Sequence, residues 1–326
     1  MPPEWLAILA MTLHHGMVHR LTPAQYPAGT TENVVTFAFD DAHLLDRRHH
    51  DAGAVWVTPN AQPGMRLPLF IYLHGLNRDR ILRRWLHGSH WDMRTIVGPM
   101  VTQGLIGPMA VAVPATTGDS AQSSATIYPR FDVAAFVDAA DRALAPRGFR
   151  VDRERVIFSA HSASGCAMHN GLFAAVGSPA VSTVLDIDCC MNANFARVLA
   201  LAPPHQRVIV AYQSFMWNNG RSYGSFAQTF LRLSLESGEP MNRALEHYEM
   251  AGIDVHNDIV PLVLRRWLPE LVPPVELSAP ATEPPRLEDP GGDPRDIAPG
   301  VDPARVADGT PSPASTRAGT SETARR

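Results

Sequence analysis

Ile157-Phe158-Ser159-Ala160-His161-Ser162-Ala163-Ser164-Gly165-Cys166 carries more structural information than any other stretch of this chain. Arg155 to Phe158 reads as a buried strand. It runs directly into a serine whose neighbours two places away, Ala160 and Ser164, are small. Gly165 and Cys166 keep the next positions small, so a helix is expected to follow and to pack close to the strand. A serine held on a sharp strand-to-helix turn needs such flanks, because bulky ones collide across the turn. The usual pattern, G-x-S-x-G, has glycine on both sides, and this sequence departs from it at both.

On either side of that turn, strands alternate with helices. Val34–Phe39 and Ala54–Val57 are expected as early strands forming an antiparallel lead-in. Leu67–Leu73 and Met109–Val113 are continuous apolar runs, as buried parallel strands are. Phe131–Ala145 has helical periodicity, ended by Pro146 and Gly148. Further strands are expected at Val181–Ile187, Arg207–Ala211 and Leu245–Met250, and helices at Asn192–Leu201, Tyr223–Leu235 and His256–Leu268. Repeated strand–helix units predict an α/β fold with a mostly parallel sheet covered on both faces.

Two further motifs sit at strand ends. Tyr72-Leu73-His74-Gly75-Leu76-Asn77 closes an upstream strand on His-Gly. Gly252-Ile253-Asp254-Val255-His256-Asn257-Asp258 carries a histidine into the final helix. A serine hydroxyl is a poor nucleophile at neutral pH without a neighbouring base, and histidine titrates near that pH.

Ala160-His161-Ser162-Ala163-Ser164-Gly165 resembles the G-H-S-A-G-G elbow of the α/β-hydrolase superfamily. The resemblance covers roughly Val34 to Leu268 and implies an α/β-hydrolase fold with Ser162 as nucleophile. It implies that His74-Gly75 opens an oxyanion loop, in which backbone N–H groups of Leu76 (or Gly75) and Ala163 face the developing oxyanion. Asn77 would add a side-chain donor. His256 matches the family's general base, and the chain order is Ser…Asp/Glu…His. The family usually places the acid after the strand that starts at Arg207, where Tyr212 to Asn219 holds no carboxylate. A known variation places it one strand earlier, at Asp188 or, as the alternative, Asp186. Glu236, Glu239 and Asp254 remain open. Ser164, a rival nucleophile, falls inside the expected helix. The implied activity is a serine hydrolase that cleaves a carboxylic ester, or an amide, through an acyl-enzyme, with no cofactor and no metal. An acyltransferase would use the same residues. A non-catalytic binding protein on this fold would require Ser162 and His256 to lie beyond hydrogen-bond reach.

Length and composition, 326 residues with 45% hydrophobic, suffice for one large α/β domain or two small ones. The formal net charge of -4 and scattered pairs such as Arg47-Arg48, Arg83-Arg84 and Arg265-Arg266 give no basic stripe for nucleic acid. Cys166, Cys189 and Cys190 form neither a disulfide framework nor a zinc motif and are expected as small buried hydrophobes. His14-His15, His49-His50 and His87-Gly88-Ser89-His90 lack carboxylates at metalloprotease spacing, so exposed or capping roles are expected. His161 is expected to pack. Trp85, Trp91, Met93, Phe215, Met216, Trp217 and Tyr223 are expected above the strand ends, lining an apolar acyl pocket or packing as core or lid.

The expected organisation is an N-terminal extension over 1–30, a hydrolase domain over 31–271 and a disordered tail over 272–326. No aromatic residue follows Pro273, and such a segment cannot offset its ordering entropy. Trp5 to Met11 is too short to span a membrane, and no other segment is a candidate. No clear signal-peptide pattern is present, which favours the cytoplasm. The expected partner is a small-molecule ester or amide substrate. Nothing in the pattern fixes an oligomeric state.

Overall fold

In the computed structural model the described residues are 34–39, 53–88, 91–213, 221–250 and 254–274. The expected N-terminal extension, His14-His15, His49-His50, His90, Phe215-Met216-Trp217 and the tail from 275 onward lie outside them.

Among the described residues eight strands form one sheet: β1 (Val34–Phe37), β2 (Gly53–Val57), β3 (Arg66–Leu73), β4 (Ala110–Pro114), β5 (Arg150–His161), β6 (Thr183–Ile187), β7 (Arg207–Gln213) and β8 (Arg243–Tyr248). Their order is β1-β2-β4-β3-β5-β6-β7-β8. β1 and β2 are antiparallel, as the lead-in was expected to be, and β3 to β8 run parallel. The apolar runs sort by parity, since alternate residues of a strand face opposite ways. Leu69, Ile71 and Leu73 face a core that holds α2 (Val133–Leu144), α3 (Ala193–Ala200) and α4 (Arg221–Glu236). Phe70 and Tyr72 face the opposite core, built on α1 (Met93–Thr102) and α5 (Val255–Leu271). Burying each such large apolar side chain stabilises the fold by roughly 1.5–3 kcal/mol.

Three local features depart from the expected pattern. β5 begins five residues before Arg155, because the β3–β5 register shifts between Pro68 and Leu69. Pro68 has no N–H to give the ladder, so the partner strand bulges there. α1 was not expected: Gly98 and Pro99 break the helical pattern, yet Asp92 caps the helix by accepting the Arg94 N–H at 2.9 Å. After Ser162 the chain makes a single 3₁₀ turn, Ser162–Gly165, rather than the expected helix.

Val272 is buried, and its carbonyl accepts the Gly107 N–H. Among the described residues no helix is long and apolar enough to cross a membrane.

Candidate active site

β5 ends at His161 in extended backbone, and Ser162 turns sharply with φ 63°. Left-handed backbone at a non-glycine residue costs about 1–3 kcal/mol and persists only where its surroundings enforce it. Part of that enforcement is Ser164. Its hydroxyl accepts the His161 N–H at 3.0 Å and lies 2.7 Å from the His161 carbonyl and 3.1 Å from that of Leu73. This accounts for serine where glycine is usual: the hydroxyl ties the end of β3 to the turn. Ser164 is buried and committed to backbone, whereas Ser162 is half-buried.

The Gly75 backbone lies against the serine. A Cβ there would stand 2.7 Å from Ser162 Cβ and 2.9 Å from Oγ, so any side chain at 75 forces a shift against the serine. His74 is fully buried, and burial lowers its pKa to about 3, which keeps the ring neutral. Its Nδ1–H donates to the Gly75 carbonyl at 2.7 Å. No peptide among the described residues is cis, so the Leu76 N–H points opposite to that carbonyl. Asn77 is not available as an oxyanion donor. Its amide donates to the carbonyls of Ile81 (2.9 Å) and Thr116 (2.6 Å) and accepts the Ile81 N–H.

β6 ends in a second left-handed residue, Asp188 at φ 51°. Its carboxylate is fully buried. Oδ1 accepts the Gln213 N–H at 3.3 Å, and Oδ2 accepts the Gln213 Nε2–H at 2.8 Å. Gln213 escaped the sequence reading. It closes β7, the strand after which the family resemblance usually puts the acid; here that strand end supplies donors to an acid one strand earlier. Asp186, the alternative, accepts the Cys189 N–H at 3.3 Å, and burial pushes its carboxyl up to about 7. Glu236 pairs with Arg232, Glu239 accepts from Asn242, and Asp254 stands exposed at the head of α5.

His256 occupies the first turn of α5 and brings the two turns together. Its Nδ1 is 2.5 Å from Asp188 Oδ2 and its Nε2 is 2.6 Å from Ser162 Oγ. A carboxylate only accepts, so Nδ1 carries the proton and Nε2 is left to accept from the serine. The long Ser162–His256 separation required by a non-catalytic reading is not what the structure has. His161 does more than pack. Its Nε2–H donates to the His256 carbonyl at 2.6 Å, with ring centroids 4.6 Å apart. Burial, then the neighbouring His256, lowers the His161 pKa to about 3.

The cysteine expectation needs correction. Cys189 is buried and free, but Cys166 and Cys190 form a disulfide. Separated by 24 positions, they meet only because β5 and β6 are neighbours in the sheet. Trp85 and Met93 are buried in the core beneath α1, and Trp85 packs on Tyr72 and His161. Trp91 and Tyr223 are half-buried. Among the described residues no group of three or more His, Cys, Asp or Glu could hold a metal ion.

No family model and no curated protein matches this sequence. Solved structures do. A feruloyl esterase module from Clostridium thermocellum, an S954A mutant complexed with sinapinate, aligns at 14% identity and TM-score 0.51, covering 79% of this chain and 95% of that one. A ferulic acid esterase aligns at 14% identity and TM-score 0.50, covering 73% and 97%. A thermostable esterase aligns at 15% identity and TM-score 0.46; 73% of this chain is covered, and only 62% of that longer one. The shared feature at such identity is the fold: the mostly parallel sheet described above is that of the α/β hydrolases.

Proposed function

We propose that this α/β-hydrolase-fold chain is a serine hydrolase that cleaves a carboxylic ester through an acyl-enzyme. The observation that carries the reading is the chain of two short contacts, Asp188 to His256 at 2.5 Å and His256 to Ser162 at 2.6 Å. Ser162 Oγ attacks the substrate carbonyl carbon while its proton passes to His256 Nε2. Asp188 stays ionised, holds the ring in the tautomer that accepts this proton and stabilises the imidazolium. The carbonyl π bond opens to an oxyanion, which the N–H groups of Ala163 and Leu76 receive. The His74–Gly75 hydrogen bond fixes the peptide that presents the Leu76 N–H, and Gly75 leaves room for the reacting carbon beside Oγ.

Collapse of the intermediate expels the alcohol, which leaves with the proton from His256. Water, deprotonated by His256, then attacks the acyl-serine by the same route and releases the acid. Esterase names among the structural neighbours support an ester over an amide.

A fluorophosphonate probe tests the activated serine. Wild-type protein is expected to label covalently, Ser162→Ala not at all, and His256→Ala at a small fraction of the wild-type rate. Absence of labelling in well-folded wild type contradicts the reading.

A further inference from the structure

The two turns of this site meet through their cysteines. Cys166 follows Ser162 by four positions and Cys190 follows Asp188 by two. Their disulfide holds the two Cα atoms 4.9 Å apart. Cys189, between Asp188 and the bridge, lies directly on the nucleophile turn. A Cβ on Gly165 would stand 2.5 Å from its Sγ, and its thiol donates to the Ala160 carbonyl at 3.4 Å. One cysteine therefore presses the acid turn on the serine turn, and the next bonds to it.

β5 and β6 pair only as far as His161 and Ile187, one residue short of Ser162 and Asp188. Beyond Ser162 the backbone makes a single 3₁₀ turn, which supplies far fewer hydrogen bonds than the helix expected there. His256 must bridge both turns at 2.5 and 2.6 Å, so a small relative drift breaks one contact.

We propose that the Cys166–Cys190 disulfide is a positioning clamp for the Ser162–His256–Asp188 array, and that its reduction lowers turnover without unfolding the protein. The proposal rests on the serine-hydrolase reading above. Opening requires a dithiol. One thiolate of the reagent attacks a bridge sulfur and displaces the other as thiolate. The second thiol of the reagent then resolves the mixed disulfide, so two electrons pass to the protein and the reagent leaves as its own disulfide. Cys166 and Cys190 are both half-buried rather than sealed, which gives the reagent access. The clamp acts on the reacting groups and not on substrate contacts, so the loss falls on kcat. Disulfides persist in oxidising compartments and are reduced in the cytosol, so turnover would report the compartment the protein occupies.

The test uses the full chain and a p-nitrophenyl ester, with kcat and KM measured before dithiothreitol, after it, and after reoxidation. Far-ultraviolet circular dichroism follows the fold. The far-downfield proton resonance of His256 Nδ1–H, identified by its loss in His256→Ala, follows the contact with Asp188 independently of turnover. Reduction is expected to lower kcat by about tenfold or more, since a 1 Å misplacement costs on the order of 100-fold, with KM changed by less than about threefold. Reoxidation should restore it. Cys166→Ala/Cys190→Ala should be slow throughout and indifferent to dithiothreitol. A reduced, folded protein that keeps its kcat and its resonance overturns the clamp. So does a loss of activity that tracks loss of the far-ultraviolet signal, because the bridge would then serve global stability alone. Oxidised protein that neither hydrolyses esters nor takes a fluorophosphonate defeats the hydrolase reading instead, and the resonance in the two redox states still decides the clamp.

Discussion

Strands β5 and β6 lie side by side, and each is followed at once by a polar residue in left-handed backbone, Ser162 at φ 63° and Asp188 at φ 51°. The turns are alike in backbone and opposite in environment. Ser162 is half-buried, flanked by small residues and backed by Gly75, and its hydroxyl lies 2.6 Å from His256 Nε2. Asp188 is sealed from solvent and surrounded by donors from Gln213 and His256. A group that must meet a substrate needs room on one side. A group that must stay charged and still needs N–H partners in place of water.

Substitution at Asp188 tests that contrast most severely. Asp188→Asn keeps the shape but presents an amide that no longer fixes the His256 tautomer, and kcat for ester hydrolysis should fall about 10⁴-fold with KM little changed. A loss below tenfold would make the buried acid dispensable. Gly75→Ala probes the other turn. Its Cβ would meet Ser162 at under 3 Å, so something must shift, and a kcat loss of about 10²-fold is expected with circular dichroism unchanged. Full activity would show that the serine turn has slack.

Asp186→Asn should have the smallest effect on rate, within about threefold, because the bond to His256 comes from Asp188. Its signature is in stability. Burial raises the Asp186 carboxyl from 3.8 to about 7, so between those values the folded chain holds a proton that the unfolded chain has lost. That contribution is complete below the unfolded value and disappears as pH rises through about 7. Wild type should therefore lose more Tm than Asp186→Asn between about pH 5 and about pH 8. Equal losses would place the titration elsewhere.

The same two turns explain what could be read in advance. The serine turn announces itself because its geometry restricts side-chain size over Ala160 to Cys166, which leaves a run of small residues in the sequence. The acid turn restricts nothing comparable. Asp186 and Asp188 share parity along the strand, and only the left-handed step at 188, outside β6, turns that carboxylate to His256. Gln213 was missed because a donor to a buried carboxylate leaves no periodic trace. The Cys166–Cys190 bridge was missed because it is a contact between neighbouring strand ends and not a spacing along the chain. In the fold, apolar runs gave the sheet and its parallel order, whereas Gly98-Pro99 concealed α1. Ser164 and Gly165 looked like the start of a helix, but the serine hydroxyl bonds back to His161 and Leu73 and the turn stops after four residues.

The most direct check on Ser162 as the acylated nucleophile is to trap the intermediate. Protein mixed with a short-chain p-nitrophenyl ester at mildly acidic pH, where deacylation is slow, would be quenched and analysed by intact mass and peptide mapping. The account predicts a stoichiometric burst of nitrophenol, an acyl group on the peptide that carries Ser162, and neither signal in Ser162→Ala. Turnover that survives Ser162→Ala, or an acyl group mapped to another residue, would contradict it.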